Sequence, residues 1–449
     1  MTPIDGYPIL TTAAMRAAEE ACGDPAMLME RAGAAVAAAV GRLAGGSAIL
    51  ILCGPGNNGG DGYVAARLMT AAGHAVRVAA DDEPRSALAI DARRRWTGPV
   101  EPLGTALPAP ILVDALFGTG LTRPLENRTA AALHRLADAA SLRIAIDLPS
   151  GVATDDGTVP TMPPRFDVTL ALAAPKPAHL LQPAARQAGR VRVLDIGVPV
   201  TGDAHVLARP VLPDPGPESH KYSRGMVAVV GGDMAGAAEL ASLAAMRAGA
   251  GYVLYLGEGQ GPPHGLVRRR WSPDALDDPR IGAVVIGPGL GRGDGTGARL
   301  ATAIGSGHEL VIDGDALRLL DVDAPRTATT ILTPHAGEFA HLFGKAWGSK
   351  IDATRMAARR ADAVIVHKGA DTVIAAPDGR VAVSAGSSDW LSAAGTGDVL
   401  AGAAGAMLAA GLPPFEAAGA AVWLHRAAAA VCGRSFIADD LAAALSRVR

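Results

Sequence analysis

Short apolar runs alternate with Ala-rich stretches of helical length along most of this chain. In the first half the runs are Ala48–Cys53, Ala75–Ala80, Ile111–Asp114, Arg143–Asp147, Val168–Leu172 and Val191–Leu194. They are nearly continuous in apolar character rather than alternating, as expected of strands covered by helices on both faces. The pattern predicts an α/β architecture, with a doubly wound, Rossmann-like parallel sheet in this half. Helices are predicted near Thr12–Glu20, Met27–Arg42 and Tyr63–Ala72.

The rhythm breaks between Val198 and Ser223, where Pro199, Pro210, Pro213, Pro215 and Pro217 remove backbone donors and fix φ. A domain boundary is placed there, giving domains 1–205 and 206–449. The second half restarts with Met226–Val230, Tyr252–Leu256, Ala283–Ile286, Leu310–Ile312 and Ala363–His367 as buried strands. Thr372–Ala376 and Arg380–Val383 flank Pro377-Asp378-Gly379, a hairpin signal. A long helical finish is predicted from Gly395 onward.

Composition narrows the classes. Hydrophobic residues make up 49% and charged residues 19%, so cores are affordable and bulk disorder is excluded. A formal charge of -3 gives no footprint for nucleic acid or an acidic membrane. The runs Arg93-Arg94-Arg95 and Arg268-Arg269-Arg270 carry no interleaved aromatics and are expected to be solvated. Cys22, Cys53 and Cys432 lie far apart, without disulfide or metal spacing. The opening residues lack a basic stretch followed by an apolar core, and no apolar stretch reaches the ~20 residues of a membrane span. The expected compartment is the cytoplasm.

The densest chemistry in the first half is Gly54-Pro55-Gly56-Asn57-Asn58-Gly59-Gly60-Asp61-Gly62, set between a strand and a helix. Five glycines in nine positions permit positive φ and close backbone approach to a ligand. Amides at the following helix start would face a phosphate. Two further strand ends carry polar loops: Asp114 before Gly118–Arg123, and Asp147 before Ser150. Ligands of open parallel sheets bind beyond the carboxyl ends of strands.

MLMERAG (Met27–Gly33), CGPGNNGGDGYVAARL (Cys53–Leu68), VDALFGTGL (Val113–Leu121) and IDLPSG (Ile146–Gly151) together resemble the N-terminal domain of bifunctional NAD(P)H-hydrate repair enzymes. The resemblance implies an epimerase interconverting the R and S forms of NADHX and NADPHX. It implies that Asn57, Asn58, Gly59, Gly60 and Asp61, with Gly118, Thr119, Gly120, Leu121, Thr122 and Arg123, hold the substrate. Asp147 would be the acid/base group. Asn58, Asp114 and Ser150 would coordinate a potassium ion, whose hardness suits oxygen ligands.

In the second half, Ala394-Gly395-Thr396-Gly397-Asp398 opens a helix whose free amides and dipole could hold a transferring phosphoryl group. Asp398, in the first turn, could accept a proton from a substrate hydroxyl. Lys368-Gly369-Ala370-Asp371-Thr372 follows a strand, and so does Gly287-Pro288-Gly289-Leu290-Gly291. His335 sits between Pro334 and a helix start beside Glu338.

VVGGD with AGAAELASLAAMRAGAG (Val229–Gly251), GPGLGRGD (Gly287–Asp294), LTPHAGEF (Leu332–Phe339), VHKGADT (Val366–Thr372) and AGTGDVLAG (Ala394–Gly402) resemble the ribokinase-like fold. More narrowly, they resemble the ADP/ATP-dependent NAD(P)H-hydrate dehydratases. The resemblance implies that Ala237, Gly291, His335 and Asp398 line the hydrate site. It places the nucleotide on Lys368, Gly369, Ala370, Asp371, Thr372 and Gly397. Asp398 would be the base, Gly395, Thr396 and Gly397 the anion hole, and Mg2+ the partner of ADP or ATP. A homo-oligomer acting on small molecules is expected. The rival readings are a ribokinase-like vitamin kinase with a regulatory N-domain, and an N-domain that only binds. GTGD alone fits the kinase equally well, but a kinase would not require the NNGGDG domain or the TPH segment.

Overall fold

The computed structural model describes every residue except Thr122, Ala346 and Ser387. The chain divides into two compact units, Met1–Val206 and Leu207–Arg449.

The first unit contains β1 (Ile49–Cys53), β2 (Val76–Ala80), β3 (Val100–Pro102), β4 (Ile111–Ala115), β5 (Leu142–Ile146), β6 (Val168–Leu172) and β7 (Arg190–Leu194). They form one seven-stranded sheet in the order β3-β2-β1-β4-β5-β6-β7. Every pairing is parallel. All five residues of β1 and of β4 are buried, which explains why β1 is wholly apolar and β4 is apolar at every position but Asp114. A last short strand, β8 (Ala204–Val206), receives the Ile9 amide at the Ala204 carbonyl. The order reverses between β1 and β4, so the loops leaving these strands diverge and open a crevice at the sheet's carboxyl edge.

The second unit contains β9 (Met226–Val230), β10 (Tyr252–Leu256), β11 (Val267–Arg269), β12 (Ala283–Ile286), β13 (Glu309–Ile312), β14 (Thr330–Leu332), β15 (Val364–His367), β16 (Val373–Ala375) and β17 (Val381–Val383). The order runs β11-β10-β9-β12-β13-β14-β15-β16-β17. It is parallel as far as β15 and then antiparallel through the β16–β17 hairpin. The helix Thr396–Ala409 is almost wholly buried and packs on the helix Ala235–Ala248. Gly402 makes this possible, since a Cβ there would lie 2.0 Å from the Ala241 carbonyl oxygen.

Three sequence expectations change. The helical finish is three helices, Thr396–Ala409, Pro414–Cys432 and Ala438–Val448, separated at Gly411 and Gly433. The glycine-rich segment is not all loop before a helix at Tyr63: the helix runs Asn57–Ala71 and contains its second part, Asn57–Gly62. None of its glycines has positive φ. Gly54, Gly59, Gly60 and Gly62 are small because the protein itself approaches. A Cβ would lie 1.7 Å from the Leu116 carbonyl oxygen at Gly54, and 1.9 Å from the Gly54 carbonyl oxygen at Gly59. The basic runs are also less free than expected. Arg95 pairs with Glu30, and Arg268, in β11, pairs with Glu239 and has a side chain only 15% exposed. No described helix is long and apolar enough to cross a membrane.

Candidate active sites

In the first unit the loops after β1, β4 and β5 surround a cleft of about 730 Å³. Asn57, Asn58 and Asp61 line it from the start of the helix Asn57–Ala71. Phe117, Gly118, Thr119 and Gly120 come from the loop after β4, and Asp147 from the end of β5. Gly59 and Gly60 are buried beneath the helix start rather than lining the cleft. Leu121 folds back toward the core, Arg123 is exposed away from the cleft, and Thr122 lies outside the described residues. Gly118 brings the walls together: a Cβ there would meet Asp147 Oδ2 at 3.2 Å and Asn58 Oδ1 at 3.3 Å.

Asp147 is held from several directions. Its backbone sits at φ 62, a left-handed conformation that side-chain-bearing residues seldom adopt. The Lys176 ammonium lies 2.5 Å from Asp147 Oδ1 and donates also to the Leu172 carbonyl at 2.8 Å. His179 Nε2 donates to the Asp147 carbonyl oxygen at 2.6 Å. Asp61 and Glu19, in the same cleft, both have carboxyls raised above the usual range. Burial is the main cause in each, and the Asp147 charge adds to it.

Asp114 is completely buried. Its carboxylate accepts from the Ser150 amide at 2.9 Å, the Ser150 hydroxyl at 2.7 Å and the Leu116 amide at 3.1 Å. Burial pushes its pKa to about 6 despite these bonds, because they supply dipoles and no cationic charge. Ser150 also receives the Phe117 amide at 2.9 Å. Asn58 Nδ2 is buried without a hydrogen-bond partner among the described residues.

In the second unit the helix Thr396–Ala409 begins after Gly395, which adopts φ 88 and supplies no side-chain cap. The amides of the first turn are therefore uncapped by any side chain at that end. Thr396 turns its hydroxyl away, donating to the Leu391 and Ala393 carbonyls. Asp398, in that first turn, has its pKa raised to about 7. Burial is the main cause, and the nearby Asp313 carboxylate adds to it. Lys368 Nζ lies 2.7 Å from Asp313 Oδ1 and 3.8 Å from Glu338 Oε2. A Cβ on Gly397 would meet that ammonium at 3.4 Å, so the lysine reaches the helix start.

The turn after β15 is closed on itself. Thr372 Oγ1 donates to the Gly369 carbonyl at 2.8 Å and accepts from the Gly369 amide at 3.2 Å. Asp371 is not an open carboxylate: Lys350 Nζ holds it at 2.6 Å. Ala370 sits exposed at the tip of the turn. His335 caps the helix Ala336–Phe343, its Nδ1 accepting from the Gly337 and Glu338 amides, while 59% of its side chain stays exposed. Gly291, at φ 81, sends its amide to Asp315 Oδ2 at 2.9 Å. Neighbouring Gly289 packs on Ala237, where an added Cβ would lie 3.0 Å from the alanine methyl.

Four residues at these centres escaped the sequence reading: Lys176, His179, Asp313 and Asp315. Asp313 and Asp315 lie just beyond the carboxyl end of β13, the same signal that singled out Asp147, whereas Lys176 and His179 come well after the end of β6 and carry no such signal. Asp313 directly follows Ile312, in Val-Ile-Asp-Gly-Asp.

A family model described as NAD(P)H-hydrate dehydratase matches residues 227–448, and one described as YjeF-related protein N-terminus matches residues 25–178. The bifunctional NAD(P)H-hydrate repair enzyme of Salinibacter ruber is 34% identical, over 98% of this chain and 96% of that protein. That of Escherichia coli is 34% identical, over 89% of this chain and 84% of the other. Among solved structures, the ADP/ATP-dependent NAD(P)H-hydrate dehydratase from Bacillus subtilis, co-crystallised with ATP and Mg2+, is 30% identical. It covers 53% of this chain and 93% of its own, with a TM-score of 0.47. Similarity at this level along nearly the whole of both chains identifies the family: this chain belongs to the bifunctional NAD(P)H-hydrate repair enzymes.

Proposed function

We propose that the first unit interconverts the R and S epimers of NADHX and NADPHX, and that the second dehydrates the S epimer to NAD(P)H using ADP or ATP. The observation that carries this reading is Asp398: a carboxyl with a pKa of about 7, in the first turn of a helix without a side-chain cap, with Lys368 at the same end. A base poised near neutrality beside an anion-holding helix end suits phosphoryl transfer to a hydroxyl.

In this mechanism Asp398 takes the proton of the ring hydroxyl as that oxygen attacks the terminal phosphoryl group. The amides of Gly395, Thr396 and Gly397 hold the charge on the transferring group, and the Lys368 ammonium adds to them. Departure of phosphate, with loss of a proton from the neighbouring ring carbon, restores the reduced nicotinamide. Ala237, Gly291 and the exposed edge of His335 bound the hydrate; the turn Lys368–Thr372 bounds the nucleotide. Among the described residues no cluster of three metal-binding side chains exists. Mg2+ therefore fits best as a partner of the nucleotide phosphates, where it would neutralise their charge.

In the first unit Asp147 is the acid/base group for the epimerised centre, and the Lys176 ammonium, 2.5 Å from its carboxylate, orients it. Asp114, Ser150 and Asn58 offer only oxygen as ligand atoms, and among the described residues the hydrogen-bond partners of buried Asp114 are the uncharged Leu116 and Ser150. A monovalent cation such as potassium fits this donor set, and it would supply the missing countercharge.

Incubation of the whole chain with hydrated NADH and ADP or ATP tests the reading. Recovery of NADH absorbance is expected, and its absence with both nucleotides overturns the dehydratase assignment. We place the enzyme in the cytoplasm, where three free, separated cysteines suit a reducing medium.

A further inference from the structure

We propose that His179 is a positioning residue for the epimerase centre, coupling the backbones of Asp147 and Lys176 through one neutral imidazole. The inference rests on the epimerase reading of the first unit and goes beyond it by naming what holds the acid/base pair in register.

His179 is 4% exposed and Lys176 1%. The ring spans the two functional residues with both nitrogens. Nε2 lies 2.6 Å from the Asp147 carbonyl oxygen, and Nδ1 lies 2.8 Å from the Lys176 amide nitrogen. A carbonyl can only accept and an amide can only donate, so the proton sits on Nε2 and Nδ1 is the acceptor. Burial, reinforced by the Lys176 charge, lowers the imidazole pKa to about 4, which keeps this neutral tautomer at physiological pH.

Two features of the site give this bridge work to do. Asp147 stands at φ 62, where an L-residue pays a conformational cost unless its surroundings over-determine it. Its amide is tied to the Leu170 carbonyl and its carbonyl to His179. With both peptide groups fixed, the side chain projects into the cleft. Lys176 lies in Ala-Pro-Lys-Pro, so neither neighbour offers an amide donor, and its own amide is committed to His179. The 2.5 Å contact between Lys176 Nζ and Asp147 Oδ1 then closes a ring through side chain, backbone and imidazole. His179 does not line the cleft, whereas Asp147 and Lys176, the residues it bonds, do. Its influence on the reaction therefore passes through them.

The test uses the full chain, whose dehydratase unit reports intact protein in the same sample. Epimerisation of R-NADHX is measured in wild type, His179→Ala, His179→Gln and His179→Asn, with S-NADHX dehydration as the internal control. His179→Ala is expected to lower the epimerase kcat on the order of a hundredfold with little change in KM, since a misplaced acid/base group costs rate rather than binding. His179→Gln, which can still donate to the Asp147 carbonyl, should recover much of that loss. His179→Asn, which retains an acceptor near the Nδ1 position, should recover less. Adding His179→Ala to Lys176→Ala should cost little beyond the single change, because the two act as a unit.

Wild-type kcat in His179→Ala overturns the inference. So does a KM-dominated loss, or a glutamine variant no better than alanine. If alanine prevents folding, the Gln and Asn variants decide alone, by the same kcat comparison. An inactive wild-type epimerase would instead remove the epimerase reading, and this inference with it.

Discussion

The Lys368 ammonium lies 2.7 Å from Asp313 Oδ1, and the two residues reach each other from the ends of different strands, β15 and β13. Thr333, after β14, donates to the same carboxylate oxygen at 2.7 Å. Three adjacent strand ends thus converge on one carboxylate. Burial alone would lower the Lys368 pKa, but Asp313 and Glu338 outweigh it, and the net shift is upward. The lysine is therefore a fixed cation, available to a phosphoryl group at the helix Thr396–Ala409. Asp313→Asn should leave this cation without its close partner. We expect a loss of about 3 kcal/mol in unfolding free energy and at least a tenfold fall in dehydration rate. Urea unfolding and NADH recovery measure the two; unchanged stability would contradict the pairing.

Asp398 sets a pH dependence with a definite sign. With its pKa near 7, the base is protonated and idle below that pH, so dehydratase kcat should rise tenfold per unit from pH 5 to 6 and level above about 7. Asp398→Asn should abolish turnover while nucleotide binding, followed by calorimetry, persists. Stability moves the other way. The folded pKa lies above the unfolded value of 3.8, so the native state keeps a proton that the unfolded chain releases. This contribution is present at low pH and is lost as pH rises to about 7. Asp398→Asn should therefore melt higher than wild type at pH 8, and an equal or lower Tm would count against the buried carboxyl.

Asp147→Asn should stop R-to-S interconversion and leave dehydration of the S epimer intact in the same protein. Lys176→Met keeps the aliphatic bulk but removes the cation that contacts Asp147 at 2.5 Å. Epimerase activity should fall at least a hundredfold. Retained activity in Asp147→Asn would show that the proton is carried elsewhere, and in Lys176→Met that Asp147 works without the cation beside it.

Two glycines only three positions apart should behave in opposite ways. A Cβ at Gly59 would collide with the Gly54 carbonyl oxygen at 1.9 Å, and a Cβ at Gly56 would meet nothing within 4 Å. Gly59→Ala should cost about 1–3 kcal/mol through forced backbone shifts. Gly56→Ala, at the helix cap, should cost under about 1 kcal/mol. Denaturation midpoints of the two variants provide the comparison, and similar midpoints would remove the packing argument.

Replacing potassium by a bulky organic cation should lower epimerase activity and leave the dehydratase step unchanged, with recovery on adding potassium back. Asp114→Asn should be insensitive to the exchange, since the buried carboxylate is the charge a cation would neutralise. A wild type indifferent to the cation would exclude that role for Asp114, Ser150 and Asn58.

The sequence by itself determined the elements, the α/β class and the loops that carry chemistry. Unbroken apolar runs of strand length such as Ile49–Cys53 read as strands buried on both faces, and the polar residues at their carboxyl ends, Asp114, Asp147 and Lys368, fall where ligands bind. Those signals are local and survive without knowledge of neighbours. Tertiary structure alone decided which strand ends meet. The reversal between β1 and β4 makes a cleft of Asn58, Gly118 and Asp147, residues far apart in the chain. Convergence of β13, β14 and β15 binds Asp313 to Lys368. It likewise decided what the glycines of Gly54–Gly62 are for. Composition admits either positive φ or close approach, and only the proximity of the Leu116 and Gly54 carbonyls selects the second. Lys176 and His179 went unread for the same reason. A lysine between prolines and a histidine three residues on are ordinary in sequence, and their role comes from burial against Asp147.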